Sequence, residues 1–197
     1  MSDTLLDSTG QRSTPWRCIL ERMNDTLMAV LRLVHILAGI FWVGATLVLA
    51  GFVLPAARAV GPGAGQFMGQ LMLRQRFQFW INVAMTLAIL AGFALYGLDS
   101  RISGGGFGRS ATGMTYGLGA LLAIAAAGVA GAMAMPTGRK LGDIAERMQE
   151  ALRGGGAPPA GLVAEAQPLQ LKMQRALTIM SVLLVLSATT MAIGRYM

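Results

Sequence analysis

The sequence predicts an all-α integral membrane protein built as a four-helix bundle. The main evidence is four long stretches that contain no charged residue. These stretches hold 25, 22, 29 and 19 residues and lie between Arg32 and Arg58, Arg76 and Asp99, Arg109 and Arg139, and Arg175 and Arg195. A helix needs about 20 apolar residues to cross a hydrocarbon core of roughly 30 Å. We therefore expect four spans, called spans one to four, at approximately residues 27–56, 77–98, 113–135 and 176–194.

The composition agrees with a small membrane protein. Of the 197 residues, 54% are hydrophobic and only 13% are charged, which is low for a soluble domain. The formal net charge of +7 comes from Lys and Arg residues in the tails and loops. There they set topology and contact lipid headgroups, so we expect no nucleic-acid partner. Cys18 is the single cysteine, which excludes an intrachain disulfide and a cysteine metal cluster.

The N-terminal region is predicted to be separate from the membrane domain. We expect residues 1–26 to form a tail with an interfacial amphipathic helix, and residues 27–197 to form the membrane domain. Thr14 as the N-cap and Pro15 at the first helical position predict where that helix starts. Its apolar residues recur at helical spacing, as in a helix that lies among lipid headgroups: Trp16, Ile19, Leu20 and Met23. The alternative is a solvent-exposed helix; in either case residues 24–26 offer caps for span one.

The connection between spans three and four is predicted to be a long helical hairpin that extends beyond the bilayer. Residues 139–152 carry apolar side chains on one helical face and charged side chains on the other, which is typical of a water-exposed amphipathic helix. Glycines and prolines at residues 154–159 make the turn, and a second polar helix at residues 162–175 leads into span four. Pro136 is expected to interrupt the helix at the end of span three.

The distribution of Lys and Arg predicts the orientation. Loops one and three carry nine of these residues, whereas loop two and the two tails carry six. By the positive-inside rule, loops one and three lie in the cytoplasm and both termini lie outside. The long hairpin is then a cytoplasmic extension on which a partner could dock.

One polar stripe in span one is the candidate site. Helical spacing places Arg32, His35, Gly39, Trp42 and Thr46 along one face. His35 is the only histidine of the chain, and it lies roughly 12 Å into the predicted span at 1.5 Å per residue. Gly39 leaves space beside the imidazole for a flat cofactor or for a neighbouring helix. The charge-free stretches contain no carboxylate, which argues against a proton-driven pump.

Three roles are open for His35. In the structural role, the imidazole forms a hydrogen bond with a backbone carbonyl, with Asn82 or with Thr86 on span two. In the second role it is an axial ligand of haem b, because imidazole is a usual iron ligand. In the third it binds copper, since thioethers bind copper(I) and the chain has 14 methionines, including Met133 and Met135. One histidine cannot ligate a haem from both sides, so a bis-histidine site would require a homodimer or another subunit.

Residues 32–44, Arg-Leu-Val-His-Ile-Leu-Ala-Gly-Ile-Phe-Trp-Val-Gly, carry a resemblance to known families. With Pro55 at the exit of the span, this run resembles the first span of the copper-resistance protein D-like membrane families. It is also similar to the first span of a group of small bacterial four-span proteins. Residues 191–196 resemble the C-terminal ends of the same proteins. The resemblance implies a multi-pass protein of the bacterial inner (cytoplasmic) membrane, with copper or haem at His35.

The same stripe is similar to the four-span membrane protoporphyrinogen oxidases. Those proteins carry a basic residue three positions before the histidine and a tryptophan seven positions after it, which here are Arg32, His35 and Trp42. That family has lysine where this chain has Arg32, and spans three and four here contain no histidine or lysine. The similarity therefore points to haem as a ligand and not to the oxidase activity.

Two functions of different class follow from these observations. The first is an accessory or scaffold subunit of a larger membrane complex, without catalysis of its own. The alternative is a haem b- or copper-binding membrane protein in electron transfer or copper handling. In that alternative His35 is the ligand, and Arg32, Gly39 and Trp42 surround the cofactor. The expected partners are the lipid bilayer and either another membrane protein or a second copy of the chain.

Overall fold

The computed structural model describes residues 15–61, 64–154 and 159–197, and these ranges contain helices and no strand. Within them seven α-helices occur: α1 (Pro15–Val48), α2 (Leu54–Val60), α3 (Ala64–Gly69), α4 (Phe77–Ile102), α5 (Ala111–Val129), α6 (Met135–Arg153) and α7 (Ala160–Gly194). Five-residue π turns lie at Leu49–Val53, Gln70–Arg74 and Ala130–Ala134. Four continuous helical stretches are long and apolar enough to cross a membrane: Arg22–Val60, Phe77–Ile102, Ala111–Arg153 and Ala160–Gly194. The predicted all-helical fold with four helices of this kind is confirmed.

The first helix differs from the prediction at its N-terminal end. Its described part runs from Pro15 without a break through most of span one. The predicted caps at residues 24–26 are wrong, because the Thr26 hydroxyl donates to the carbonyl of Arg22 inside the helix at 2.9 Å. The predicted boundary at residue 26 therefore falls within one continuous helix. Residues 1–14, including the predicted N-cap, lie outside the described residues.

Spans one and three share a π turn followed by a proline. Pro55 comes two residues after the turn at Leu49–Val53, and Pro136 comes two residues after the turn at Ala130–Ala134. Proline lacks an N–H group and its ring crowds the preceding turn, and a π turn widens the helix at that point. Both helices therefore continue past the proline, into α2 and α6. The predicted interruption at Pro136 is instead a local widening of a continuous helix.

The bundle is organised as two hairpins that meet through α7. The most extensive contacts pair α1 with α4 and α5 with α7, and α7 also packs on α1. The largest cluster of buried side chains joins all four spans: Trp42, Leu49, Ala50, Leu54, Ile81, Ala84, Ala88, Ala126, Ala130, Leu177, Met180 and Leu184. Many of these side chains are small, which lets the helix backbones approach closely.

The outer faces of the bundle expose large apolar side chains. Phe52 is 73% exposed, Ile40 is 66% exposed and Leu121 is 65% exposed. Soluble monomers rarely expose contiguous apolar surface of this extent. These faces are therefore suited to contact with lipid tails.

The connection between spans three and four is a helical hairpin, as predicted. It consists of α6 and the first half of α7, which pack on each other and bury Ile144 and Ala166. Arg147 and Glu165 join the two helices by an exposed ion pair of 3.5 Å. The second polar helix and span four form the single helix α7, which contains Pro168. The predicted turn lies partly at residues 155–158, outside the described residues.

Candidate functional site

The imidazole of His35 contacts span two through a hydrogen bond. Its Nδ1 atom lies 2.7 Å from the carbonyl oxygen of Ala88 on α4. A carbonyl oxygen can only accept, so Nδ1 carries the proton and donates it. In the neutral ring the lone pair then lies on Nε2. The structural role predicted for His35, a bond to a backbone carbonyl, is therefore present.

Gly92 lies one helical turn after Ala88 and faces the same imidazole. A Cβ atom at Gly92 would lie 3.0 Å from Cε1 and 3.2 Å from Nδ1 of His35. The ring therefore occupies space that any other residue at Gly92 would restrict. Sequence analysis missed both Ala88 and Gly92. Their four-residue spacing was visible, but the polar residues Asn82 and Thr86 of span two were expected to mark the face that meets His35.

The predicted side-chain partners of His35 on span two bind elsewhere. The Oδ1 atom of Asn82 accepts a hydrogen bond from Nε2 of Gln78 at 3.1 Å. The hydroxyl of Thr86 donates to the carbonyl of Asn82 at 2.9 Å. Both side chains thus bond within α4, and the main-chain carbonyl of Ala88 is the partner of His35.

The other stripe residues extend from the surface of the bundle into its core. Arg32 is exposed, His35 and Gly39 are half-buried, and Trp42 is 2% exposed within the core. A Cβ atom at Gly39 would meet nothing within 4 Å, so no neighbouring helix fills the predicted gap. In the described part of the chain, no hydrogen bond links Arg32 or Trp42 to the imidazole. Of the predicted site residues, His35 is the one whose side chain forms a hydrogen bond with another span among the described residues.

Among the described residues, three further side chains donate to carbonyls of another of the four helical stretches. One of them is Arg58, which donates to the carbonyl of Gln170 on α7 at 2.8 Å. Nε2 of Gln174 donates to the carbonyl of Ala50 at 2.9 Å, which joins α7 to span one. The hydroxyl of Ser187 donates to the carbonyl of Gly119 at 2.7 Å, which joins α7 to α5. With the bond from His35, these interhelical carbonyl bonds connect α4, α1, α7 and α5 in that order.

Some buried polar atoms have no partner among the described residues. They are Nε1 of Trp42, Oε1 of Gln174 and Oγ of Ser181. All three belong to span one or to α7, which pack on each other. Burying a polar group without a hydrogen bond costs about 1–3 kcal/mol in proteins. These atoms therefore mark the least satisfied region of the bundle interior.

The described residues contain no group of three or more His, Cys, Asp and Glu side chains that could hold a metal ion. A metal at His35 would therefore need ligands of another type, such as methionine thioethers, or ligands from another molecule. The orientation of the imidazole fits this role, because Nδ1 is held by a carbonyl and Nε2 is left without a partner among the described residues. Span three runs parallel to span one. Because Met133 and Met135 lie near the end of span three and His35 lies near the start of span one, these methionines lie at the opposite end of the bundle from His35.

Comparison with known proteins adds no relative. No protein-family model, no curated protein and no solved structure matches the chain significantly. The resemblances described from the sequence therefore stay predictions.

Proposed function

We propose that the protein is a small accessory or scaffold subunit of a larger membrane complex, without catalysis of its own. The observation that carries this proposal is which groups the polar side chains of the helices bind. Donors of His35, Gln174 and Ser187 each bind a main-chain carbonyl of a different helix. Hydrogen bonds of this kind stabilise contacts between membrane helices by about 0.6 kcal/mol on average. This polar content serves the assembly of a defined bundle.

The proposed setting is the bacterial inner membrane, with both termini outside and the hairpin of α6 and α7 in the cytoplasm. The exposed apolar faces of the four spans support contact with lipid. The Lys and Arg residues concentrated in loops one and three support this orientation. A partner protein or a second copy would bind either the spans or the cytoplasmic hairpin.

A second candidate function is favoured by the tautomer of His35. An imidazole that donates Nδ1–H to a carbonyl is oriented as metal-ligating histidines usually are, with Nε2 as the ligating atom. His35 would then hold haem b or copper, which would supply electron transfer or copper handling. Because each copy offers one histidine, a methionine or another subunit would provide the remaining ligand.

Two substitutions at His35 separate the candidates. In His35→Asn, the side-chain amide nitrogen takes approximately the place of Nδ1 and preserves a donor for Ala88, but Nε2 is lost. In His35→Ala both nitrogens are lost. If His35 is structural, His35→Ala lowers the free energy of unfolding by about 1 kcal/mol and His35→Asn lowers it much less. If His35 is a ligand, both variants lose the cofactor to the same extent.

The measurements are an optical difference spectrum, copper analysis and cross-linking in native membranes. For the scaffold, we expect a flat reduced-minus-oxidised spectrum, no stoichiometric copper and a cross-linked partner at a fixed ratio. Sharp Soret and α bands at near-stoichiometric haem, lost in both variants, would overturn the scaffold proposal in favour of the ligand. A protein that is monomeric in its native membrane, with no partner at a fixed ratio, would contradict the scaffold as well.

A further inference from the structure

A cleft with polar and apolar lining lies at the predicted cytoplasmic end of the bundle, opposite to the end that holds His35. It has a volume of about 570 Å³, within the range of small-molecule sites, and is open to solvent. One wall is residues 64–74, which comprise α3 and the π turn after it, and the other wall is α6. The polar and charged lining residues are Gln70, Arg74, Glu146, Gln149 and Arg153.

The two walls approach each other at Gly69. A Cβ atom at Gly69 would lie 3.8 Å from Nε2 of Gln149, an ordinary van der Waals distance. The loop-one wall and α6 are therefore in contact near this point, and the cleft opens beside it. The cleft is thus formed by folded segments that are distant in sequence.

The charges of the cleft are not paired with one another. Arg74 and Arg153 line the same cleft as Glu146, yet among the described residues neither guanidinium forms an ion pair with that carboxylate within 4.0 Å. The three side chains together carry one net positive charge. Gln70 and Gln149 add amide donors to the lining. The net charge and the donors of the lining therefore suit a singly charged anion with several hydrogen-bond acceptors.

We propose that this cleft binds the phosphodiester group of an anionic phospholipid. Guanidinium groups match phosphate oxygens in geometry and charge. A phosphodiester carries one negative charge, which balances the net positive charge of the three side chains. Phe67 on α3 is 59% exposed and Leu152 on the cleft wall is 36% exposed, so apolar surface for the rest of a lipid lies nearby.

The position of the cleft also suits a lipid. Loop one carries Arg58, Arg74 and Arg76 and no acidic residue, and it leads into the exposed aromatic residues Phe79 and Trp80 at the start of span two. Basic pockets at the cytoplasmic ends of membrane helices suit anionic headgroups, and aromatic residues favour the membrane interface. This proposal rests on the membrane placement of the protein and does not depend on the role of His35.

The test uses the full-length protein, delipidated in a neutral detergent. Short-chain phosphatidylglycerol, short-chain phosphatidylcholine and inorganic phosphate are titrated at equal concentrations. The readouts are the melting temperature and the lipid adducts seen by native mass spectrometry. We expect phosphatidylglycerol to raise the melting temperature and to form a one-to-one adduct. Phosphatidylcholine and inorganic phosphate should do so much more weakly.

Variants assign the effect to the cleft. The double variant Arg74→Gln/Arg153→Gln should weaken the binding of phosphatidylglycerol about tenfold or more, because both guanidinium contacts to the phosphate are lost. The control Lys140→Gln/Lys172→Gln removes the same charge from exposed positions outside the cleft lining. It should bind phosphatidylglycerol as the wild type does. Glu146→Gln should improve the binding of inorganic phosphate, because it removes a negative charge from the lining.

Three results would overturn the proposal. Equal stabilisation by phosphatidylcholine would show that the headgroup charge is not recognised. Equal losses in the cleft variant and in the control would show a general effect of surface charge. Stabilisation by inorganic phosphate that equals that of phosphatidylglycerol would assign the cleft to a soluble phosphate and not to a lipid. Unliganded melting temperatures of all variants establish that each remains folded.

Discussion

The two hairpins of the bundle share a plan and differ in how closely their helices pack. In both, the first span contains a π turn with a proline two residues later. In the second hairpin, a Cβ atom at Gly119 would lie 2.8 Å from Cγ of Met191 and 2.9 Å from Oγ1 of Thr190. In the first hairpin, a Cβ atom at Gly39 or Gly44 would meet nothing within 4 Å.

This difference shows that glycines have two different packing roles in the bundle. At Gly119 the absence of a side chain permits the close contact of α5 with α7, next to the hydrogen bond from Ser187. In the first hairpin the close contact is instead made by His35 against Gly92, and the glycines of α1 border open space. Gly119 therefore marks a close approach of two helices in the second hairpin, whereas in the first hairpin the tight contact at a glycine is made by the polar side chain of His35.

The largest effect that tests this comparison is expected at Gly119. In Gly119→Val, the new side chain would overlap Met191 and Thr190, and overpacking a core costs about 1–3 kcal/mol. We expect the free energy of unfolding in detergent to fall by that amount. The matched control Gly39→Val adds the same side chain to span one without overlap and should change stability by less than about 0.5 kcal/mol. An equal loss in the control would show that the first hairpin packs as tightly as the second.

A smaller effect is expected at Gly92, in the first hairpin. In Gly92→Ala the new methyl group would lie within contact of Cε1 of His35, so the ring must shift by a few tenths of an ångström. We expect a loss of about 0.5–1 kcal/mol, since the bond to Ala88 is weakened. The loss should disappear in the His35→Ala background, which a double-mutant cycle measures. A loss of the same size in both backgrounds would show that the methyl group disturbs α4 itself.

The sequence predicted the four long apolar helices well because the absence of charge is a property of the chain and requires no knowledge of packing. Span two was expected to begin at Phe77 and span four to end at Gly194, and helices α4 and α7 have these bounds. The continuity at Pro136 was missed, because proline was expected to end the helix as it does in the interior of a regular α-helix. The π turn before Pro136 widens the helix, so the proline ring and its missing N–H group are accommodated and the helix continues.

The candidate site was predicted only in part. The polar stripe was correctly placed on one helix, because helical spacing is local. Ala88 and Gly92 were missed, since Asn82 and Thr86 were expected to mark the contacting face of span two, whereas small apolar residues carry no such mark. The structure buries Trp42 in the core, and its predicted place beside a cofactor stays a prediction.

The smallest effect is expected at Ser181, and its sign is informative. Ser181 and Ser187 are both buried in α7, but the hydroxyl of Ser187 bonds to Gly119 whereas that of Ser181 has no partner among the described residues. Ser187→Ala should therefore cost about 1 kcal/mol, and Ser181→Ala should be neutral or slightly stabilising, because it removes an unsatisfied polar group at little change in volume. The free energies of unfolding of the two variants, measured in the same detergent, test this difference. A clear loss in Ser181→Ala would mean that a buried water molecule binds this hydroxyl, and Nε1 of Trp42 in the adjoining span would then be a candidate second partner of that water.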